Sequence, residues 1–198
     1  MRGISIFWIS LAFLAGGCLD FGEPVQLGPA QPALVLVEGK AKLPKGGGFA
    51  SNHSVRLYGL DDQAIAAGSI LDENGSYSLS VPPGALKATP TLFHLALRQG
   101  NATLYSAPLR LDQRSKGGRQ DIDSATTALW LAAHESFQKG LNPLFWNFDR
   151  LLQDKSVIDA AAKIEGEAVQ WRQDLKPKPL SAEVQGQIDR ILAVASKV

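Results

Sequence analysis

The sequence predicts an α+β chain: an antiparallel β-sandwich of about six or seven strands, followed by a segment of about four helices. Three observations predict it. Between residues 34 and 112, apolar side chains recur in short runs of period two, divided by Gly, Asn and Asp turn signals. From 121 to 198 the apolar spacing lengthens to three and four, the spacing of a helix face. Between them, residues 113–120 carry three positive charges, no acid and two glycines, which marks a boundary. The chain of 198 residues is 45% apolar, with 20 Lys+Arg against 19 Asp+Glu. That apolar content supports a cored protein, and so balanced a charge argues against an electrostatic nucleic-acid binder, which usually shows a basic stripe.

The amino terminus is laid out differently. Arg2 precedes the apolar run Ile4–Leu14, which is shorter than the roughly twenty residues of a membrane-spanning helix. Small residues follow, Ala15-Gly16-Gly17, and then Cys18. This layout predicts a secretory signal over 1–17. Cys18 is the only cysteine, so it has no partner for an internal disulfide and is either a free thiol or a modified one. Leu14-Ala15-Gly16-Gly17-Cys18 resembles the lipobox of bacterial lipoproteins, with the leucine one position earlier than the family's usual place. The resemblance implies cleavage before Cys18, diacylation of its sulfur and acylation of the new amino group. The alternative is an ordinary cleaved signal peptide with an incidental cysteine. The lipobox further implies attachment to membrane lipid in the cell envelope. Leu19 after the cysteine, in place of the Asp that retains family members in the inner membrane, implies the outer one. Loss of 1–17 removes Arg2 alone among charged residues and leaves 19 basic against 19 acidic side chains. Residues 18–33 hold Gly22, Pro24, Gly28, Pro29 and Pro32 and read as a flexible tether.

The strand runs come in order. Leu34–Ala41 is the first, followed by Val55–Tyr58, then Ala64–Ala67 continuing through Ser69-Ile70. In Ser76–Val81, Tyr77, Leu79 and Val81 alternate with serines, so large residues fall on one face and hydroxyls on the other. Asp72-Glu73-Asn74-Gly75 before it signals a turn, because Asn and Gly tolerate positive φ. Thr91–Leu97 and a run from Thr103 to Leu111 follow, divided by Gln99-Gly100-Asn101. The stretches Val37–Ala41, Val55–Gly59 and Asp72–Pro82, the last reading D-x-x-G-x-Y-x-L-x-V-P, resemble the carboxypeptidase-regulatory-like (transthyretin-like, or prealbumin-like) β-sandwich over roughly 35–111. This resemblance implies a domain at 34–112 serving folding, adhesion or interaction, and related sandwiches bind glycans.

After the basic linker, Asp123 or Ser124 is placed to cap a helix carrying Thr126, Leu129, Trp130, Ala133 and Phe137. Asn142-Pro143 starts a second, with Leu144, Phe145, Phe148, Leu151 and Leu152 as its stripe. Ser156 with Asp159 predicts a third start, before Val157, Ala161, Ile164, Ala168, Trp171 and Leu175. Lys176-Pro177-Lys178-Pro179 ends that helix, and Ser181 opens a fourth with Val184, Ile188, Ile191 and Ala195.

Chemistry-bearing motifs are incomplete. His53, His94 and His134 are far apart; His94 sits among apolar strand residues and reads as a packed structural histidine. His134-Glu135 opens like a zinc-protease helix, but position 138, where a second histidine would share the face, is Gln. Ser136-x-x-Lys139 lacks the partner motifs of penicillin-recognising enzymes. Lys45-Gly46-Gly47-Gly48 lacks the Lys-Ser/Thr ending of a phosphate loop. Asp72, Asn74 and Ser76 have the opening spacing of a calcium loop, but Pro83 stands where its last glutamate belongs, and a hairpin turn explains them better. Asp61-Asp62 and Asp121/Asp123 read as loop acids. Tyr58, Tyr77, Tyr105, Trp130, Trp146 and Trp171 are the candidates for a glycan-stacking platform. The expectation is a membrane-anchored envelope protein acting as a non-catalytic interaction or structural module. Its site residue is Cys18, with no catalytic, metal or cofactor residue; its partners are membrane lipid through acylated Cys18 and an envelope protein or glycan, with no nucleic acid. Two alternatives stand beside it: glycan binding through the sandwich loops, and a hydrolase assembled from distant residues around His134 and Glu135.

Overall fold

The alternating runs become strands in the computed structural model, which describes residues 34–45, 47–174 and 179–197. The predicted signal segment, the tether and Cys18 lie outside the described residues. Strands β1 (Val35–Lys40), β2 (His53–Tyr58), β3 (Ala64–Ser69), β4 (Ser76–Val81), β5 (Thr91–Gln99) and β6 (Ala102–Leu111) follow the six predicted runs. A seventh, β7 (Gly117–Arg119), forms inside the basic stretch 113–120 that was expected to be only a linker. Two glycines carry no apolar side chain, so its periodicity is invisible in the sequence. It forms because the free edge of β1 offers backbone partners, which Gln120 and Ile122 extend by donating their N–H groups to Glu38 and Lys40 carbonyls at 2.9 Å each.

The strands make two sheets, ordered β4-β1-β7 and β3-β2-β5-β6. The pairings are antiparallel except β1 with β7, which run parallel with Val37 opposite Gly118. Val35, Val37, Tyr77, Leu79 and Val81 of the first sheet and Val55, Leu57, Leu95 and Leu97 of the second are buried in the shared core. The alternate serines of β4 stay at least partly exposed, as period two requires. Asp72 and Gly75 build the predicted turn: Ser76 N–H donates to Asp72 Oδ1 at 2.9 Å, and Gly75 takes φ +79°. Where β3 crosses β4, a Cβ on Gly68 would lie 2.3 Å from the Ser78 carbonyl oxygen, so the two backbones approach only across glycine.

Strands β5 and β6 are buried on both faces through most of their length. One face meets the first sheet and the other meets helices. These are α1 (Ser124–Gln138), α2 (Phe148–Leu151), α3 (Lys155–Asp174) and α4 (Ala182–Ala195). Helices α1 and α3 lie on β6, and α1, α3 and α4 pack on one another, so the helical region is a third layer of the unit that holds both sheets. Asp123 caps α1 in a capping box with Thr126, and Ser181 caps α4, as the sequence predicts. The third helix starts earlier than expected: Asp154, not Ser156, is the cap, its Oδ1 accepting from Ser156 N–H at 2.8 Å. Val157, Ile164, Ala168 and Trp171 of its stripe are buried, with Ala160 taking the place expected of Ala161.

The predicted second helix does not form as one element. Asn142 caps only a single 3-10 turn, Pro143–Phe145; the chain then extends through Trp146 and Asn147, and α2 is one turn long. The physical reason lies on β6. Arg110 Nη1 and Nη2 donate to the carbonyl oxygens of Leu144 and Trp146 at 2.8 and 2.9 Å, and these charge-assisted bonds take acceptors that a continuous helix would use internally. Phe145 is left 83% exposed and Phe137 51% exposed, against the expectation that both would face the core.

The outer edge of β6 is closed by threonines. Ser106 N–H donates to Thr127 Oγ1 at 2.8 Å, and Thr126 Oγ1 donates to the Ser106 carbonyl at 3.0 Å. Thr127→Val keeps the side-chain shape but leaves a buried N–H unpaired. Urea denaturation should show a loss of about 1–3 kcal/mol for this variant, against less than about 0.5 kcal/mol for Thr89→Val on the surface.

Candidate functional site

The outer face of β5 and β6 brings several chemistry-bearing side chains together. Period two sends His94, Ala96 and Arg98 of β5 to this face, with Tyr58 opposite His94 and Ser106 opposite Ala96. The His94 ring lies flat on Trp130 of α1, centroids 4.3 Å apart and planes 6° apart. Tyr58 and His134 flank this pair at 5.6 and 5.5 Å. His94 Nε2 and Ser106 Oγ are 2.8 Å apart, and Arg98 Nη1 donates to the Tyr58 hydroxyl at 2.8 Å. Burial first, then the nearby His134 and Arg98, push the His94 pKa down to about 4. The imidazole is therefore neutral at neutral pH.

A serine and a neutral histidine at hydrogen-bond distance are the parts of an activated nucleophile. Here the serine is shut in and the histidine is half-buried. Ser106 is 6% exposed beneath α1, its carbonyl and N–H both held by threonines, and Trp130 covers the imidazole. The pair joins sheet to helix, in keeping with the structural role expected of His94.

His134 and Glu135 line a cleft of about 440 Å³ between α1 and α4, with Leu131, Gln138, Lys139, Gln185 and Ile188. Glu135 is committed within it. Its Oε1 lies 2.6 Å from Lys139 Nζ, and its Oε2 accepts from Gln185 Nε2 at 2.8 Å. The bond from Lys139, aided by Gln185, lowers the carboxyl pKa, so the group is ionised at neutral pH and unsuited to general-acid work. Ser136 and Lys139 are not brought together: Ser136 is fully buried, with its hydroxyl unpartnered among the described residues, while Lys139 pairs with Glu135. Among the described residues no cluster of three His, Cys, Asp or Glu side chains is placed to hold a metal.

The remaining candidates serve the fold. Asp121 Oδ1 accepts from Lys40 N–H at 2.9 Å, and Asp123 caps α1 while pairing with Lys42 at 3.2 Å. Asp61 accepts from Gln63 N–H at 3.3 Å in the turn where Asp62 takes φ 59°. His53 is buried against Phe49, and its Nδ1 accepts from Ala50 N–H at 2.9 Å. Lys45 N–H, in the glycine-rich loop, donates to Glu165 Oε1 at 2.9 Å; a carboxylate sits where a phosphate would have to. Tyr77 donates its hydroxyl to the Gln120 carbonyl and Tyr105 to Glu165, and burial raises the pKa of both phenols. With Trp130, Trp146 and Trp171 also buried, these rings offer no stacking platform; Tyr58 is half-buried.

Sequence reasoning missed the double grip of Arg110 and the sealing role of Thr126 and Thr127. The Asp-x-x-Thr capping spacing at Asp123 was a signal for the second, but nothing local announces the first. Comparison with protein-family models and with curated proteins finds no match.

The histidine shift has a definite sign. The folded chain binds fewer protons than the unfolded chain between pH 6.5 and about 4, so His94's contribution to stability is complete above pH 6.5 and is lost as pH falls through that window. Its size is on the order of 3 kcal/mol. In thermal melts, His94→Phe should flatten most of this slope, leaving the smaller share of His53, whose pKa burial also lowers.

Proposed function

We propose that this chain is a lipid-anchored protein of the bacterial cell envelope, held through acylated Cys18, that presents its sandwich-and-helix body as a non-catalytic interaction module. The observation that carries the reading is the order of residues 1–18: one cation, an apolar run too short to span, small residues, and then the only cysteine. No helix among the described residues is long and apolar enough to cross a membrane. Acyl chains form an anchor that needs no such helix. Each buried methylene contributes about 0.8 kcal/mol, and two or three chains hold where one is marginal. Leu19 supports the outer membrane as the destination.

The body supports the non-catalytic half of the reading through positive commitments. Glu135 is spent on Lys139 and Gln185, His94 on Trp130 and Ser106, and Asp121 and Asp123 on the start of α1. The resemblance of 35–111 to carboxypeptidase-regulatory-like sandwiches supports an adhesion or interaction role.

Intact mass of membrane-extracted protein tests the anchor. The expected mass is that of residues 18–198 plus two or three acyl chains. Cys18→Ser should abolish the added mass and block processing before residue 18. Wild-type protein recovered from the soluble fraction without lipid mass overturns the anchor.

A further inference from the structure

Arg110 does more than interrupt a helix. The two carbonyls it grips, those of Leu144 and Trp146, stand on either side of Phe145. Buried Pro143 fixes the same turn from its other end. Phe145 is thus presented to solvent by a clamped backbone, although burying such a ring would contribute about 1.5–3 kcal/mol. It is the most exposed large apolar side chain of the described residues, at 83%. Beside it opens a cleft of about 400 Å³, lined also by Arg110, Gln120, Asn147, Phe148 and Asp149. That volume falls within the range of about 300–1,000 Å³ for small-molecule sites.

The lining has a distinct chemistry. Arg110 gives two of its five N–H groups to the carbonyls and lies 4.7 Å from the centre of the Phe148 ring. The exposed carboxylate of Asp149 lines the same cleft and balances that charge, so the lining carries one positive and one negative side chain and favours a neutral ligand. Asn147 accepts from Arg150 N–H through Oδ1, which leaves its NH₂ as a donor. Gln120 donates through Nε2 to the Asp121 carbonyl, which leaves its side-chain oxygen as an acceptor. An apolar ring face beside planar donors and acceptors matches a molecule with one C–H face and a rim of hydroxyls.

We propose that this cleft, at the junction of β6 with the segment 143–149, binds a neutral pyranose chain, with Phe145 stacking on one sugar ring and Asn147, Asp149 and Gln120 engaging its hydroxyls. The proposal rests on the reading of the chain as an envelope interaction module and names its partner as a glycan. The site lies outside the sandwich loops. The backbone that presents the ring is held before the ligand arrives, so binding orders little new main chain.

The test is calorimetric titration of the full mature protein, extracted in a detergent without a sugar headgroup, with chitotetraose and with cellotetraose. Saturable binding of at least one is expected, weakened about tenfold by Phe145→Ala, the loss of one aromatic stack. Asp149→Ala should weaken it several-fold. Both side chains are exposed, so circular dichroism and melting temperature should stay at wild-type values. Absence of saturable heat with both sugars at millimolar concentration overturns the proposal, as does binding that Phe145→Ala leaves unchanged. Lipid mass on Cys18 is read separately and bears only on the anchor, since the titration needs no membrane.

Discussion

The helical layer depends on how the outer edge of β6 is closed. Strand β6 is terminal in its sheet, so the peptide groups on its far side lack a strand partner. An apolar edge with free N–H and C=O groups is a site for unwanted pairing. Thr126 and Thr127 satisfy both groups of Ser106, and the same two threonines belong to the first turn of α1, which Asp123 caps. One short segment thereby seals a sheet and aims a helix. Trp130, one turn further on, is delivered onto His94, and the burial of that stack is what lowers the imidazole pKa. Pro108, without a donor, is tolerated in the same strand because it is an edge.

A second constraint works by competition for carbonyls. Apolar spacing from Leu144 to Leu152 is helical, and Asn142-Pro143 is a sound helix start. Local propensity still loses, because a guanidinium on β6 takes two acceptors from the backbone. Charge-assisted bonds of this kind are stronger than the neutral ones they displace. The outcome is an extended joint, a clamped turn and an exposed phenylalanine in place of a helix face. Tertiary context redirected an apolar side chain from core to solvent, and the redirected side chain is the most exposed large apolar one among the described residues.

The third layer also shows what the motif fragments among the described residues are engaged in. Ser106 and His94 meet, but only because both serve the joint beneath α1. Glu135 and His134 share a cleft, yet the carboxylate is drawn to Lys139 at the next turn of the same helix. Glu165 ties α3 both to Tyr105 of β6 and to the loop after β1. Polar groups brought together in this fold are mostly fasteners between layers, each satisfying a partner that burial would otherwise leave without water.

Six strands, the Asn74-Gly75 turn, the caps at Asp123 and Ser181 and the stripe of α4 were all legible in the amino-acid order, because period, turn chemistry and capping act over a few residues. What only tertiary structure decided involves partners distant in the chain. Strand β7 exists because β1, some eighty residues earlier, has an open edge. The break at Trp146 exists because Arg110 lies 36 residues upstream. The cleft beside Phe145 follows from that break, and no local pattern encodes it, since hydrogen bonds between distant segments are chosen only once the layers have packed.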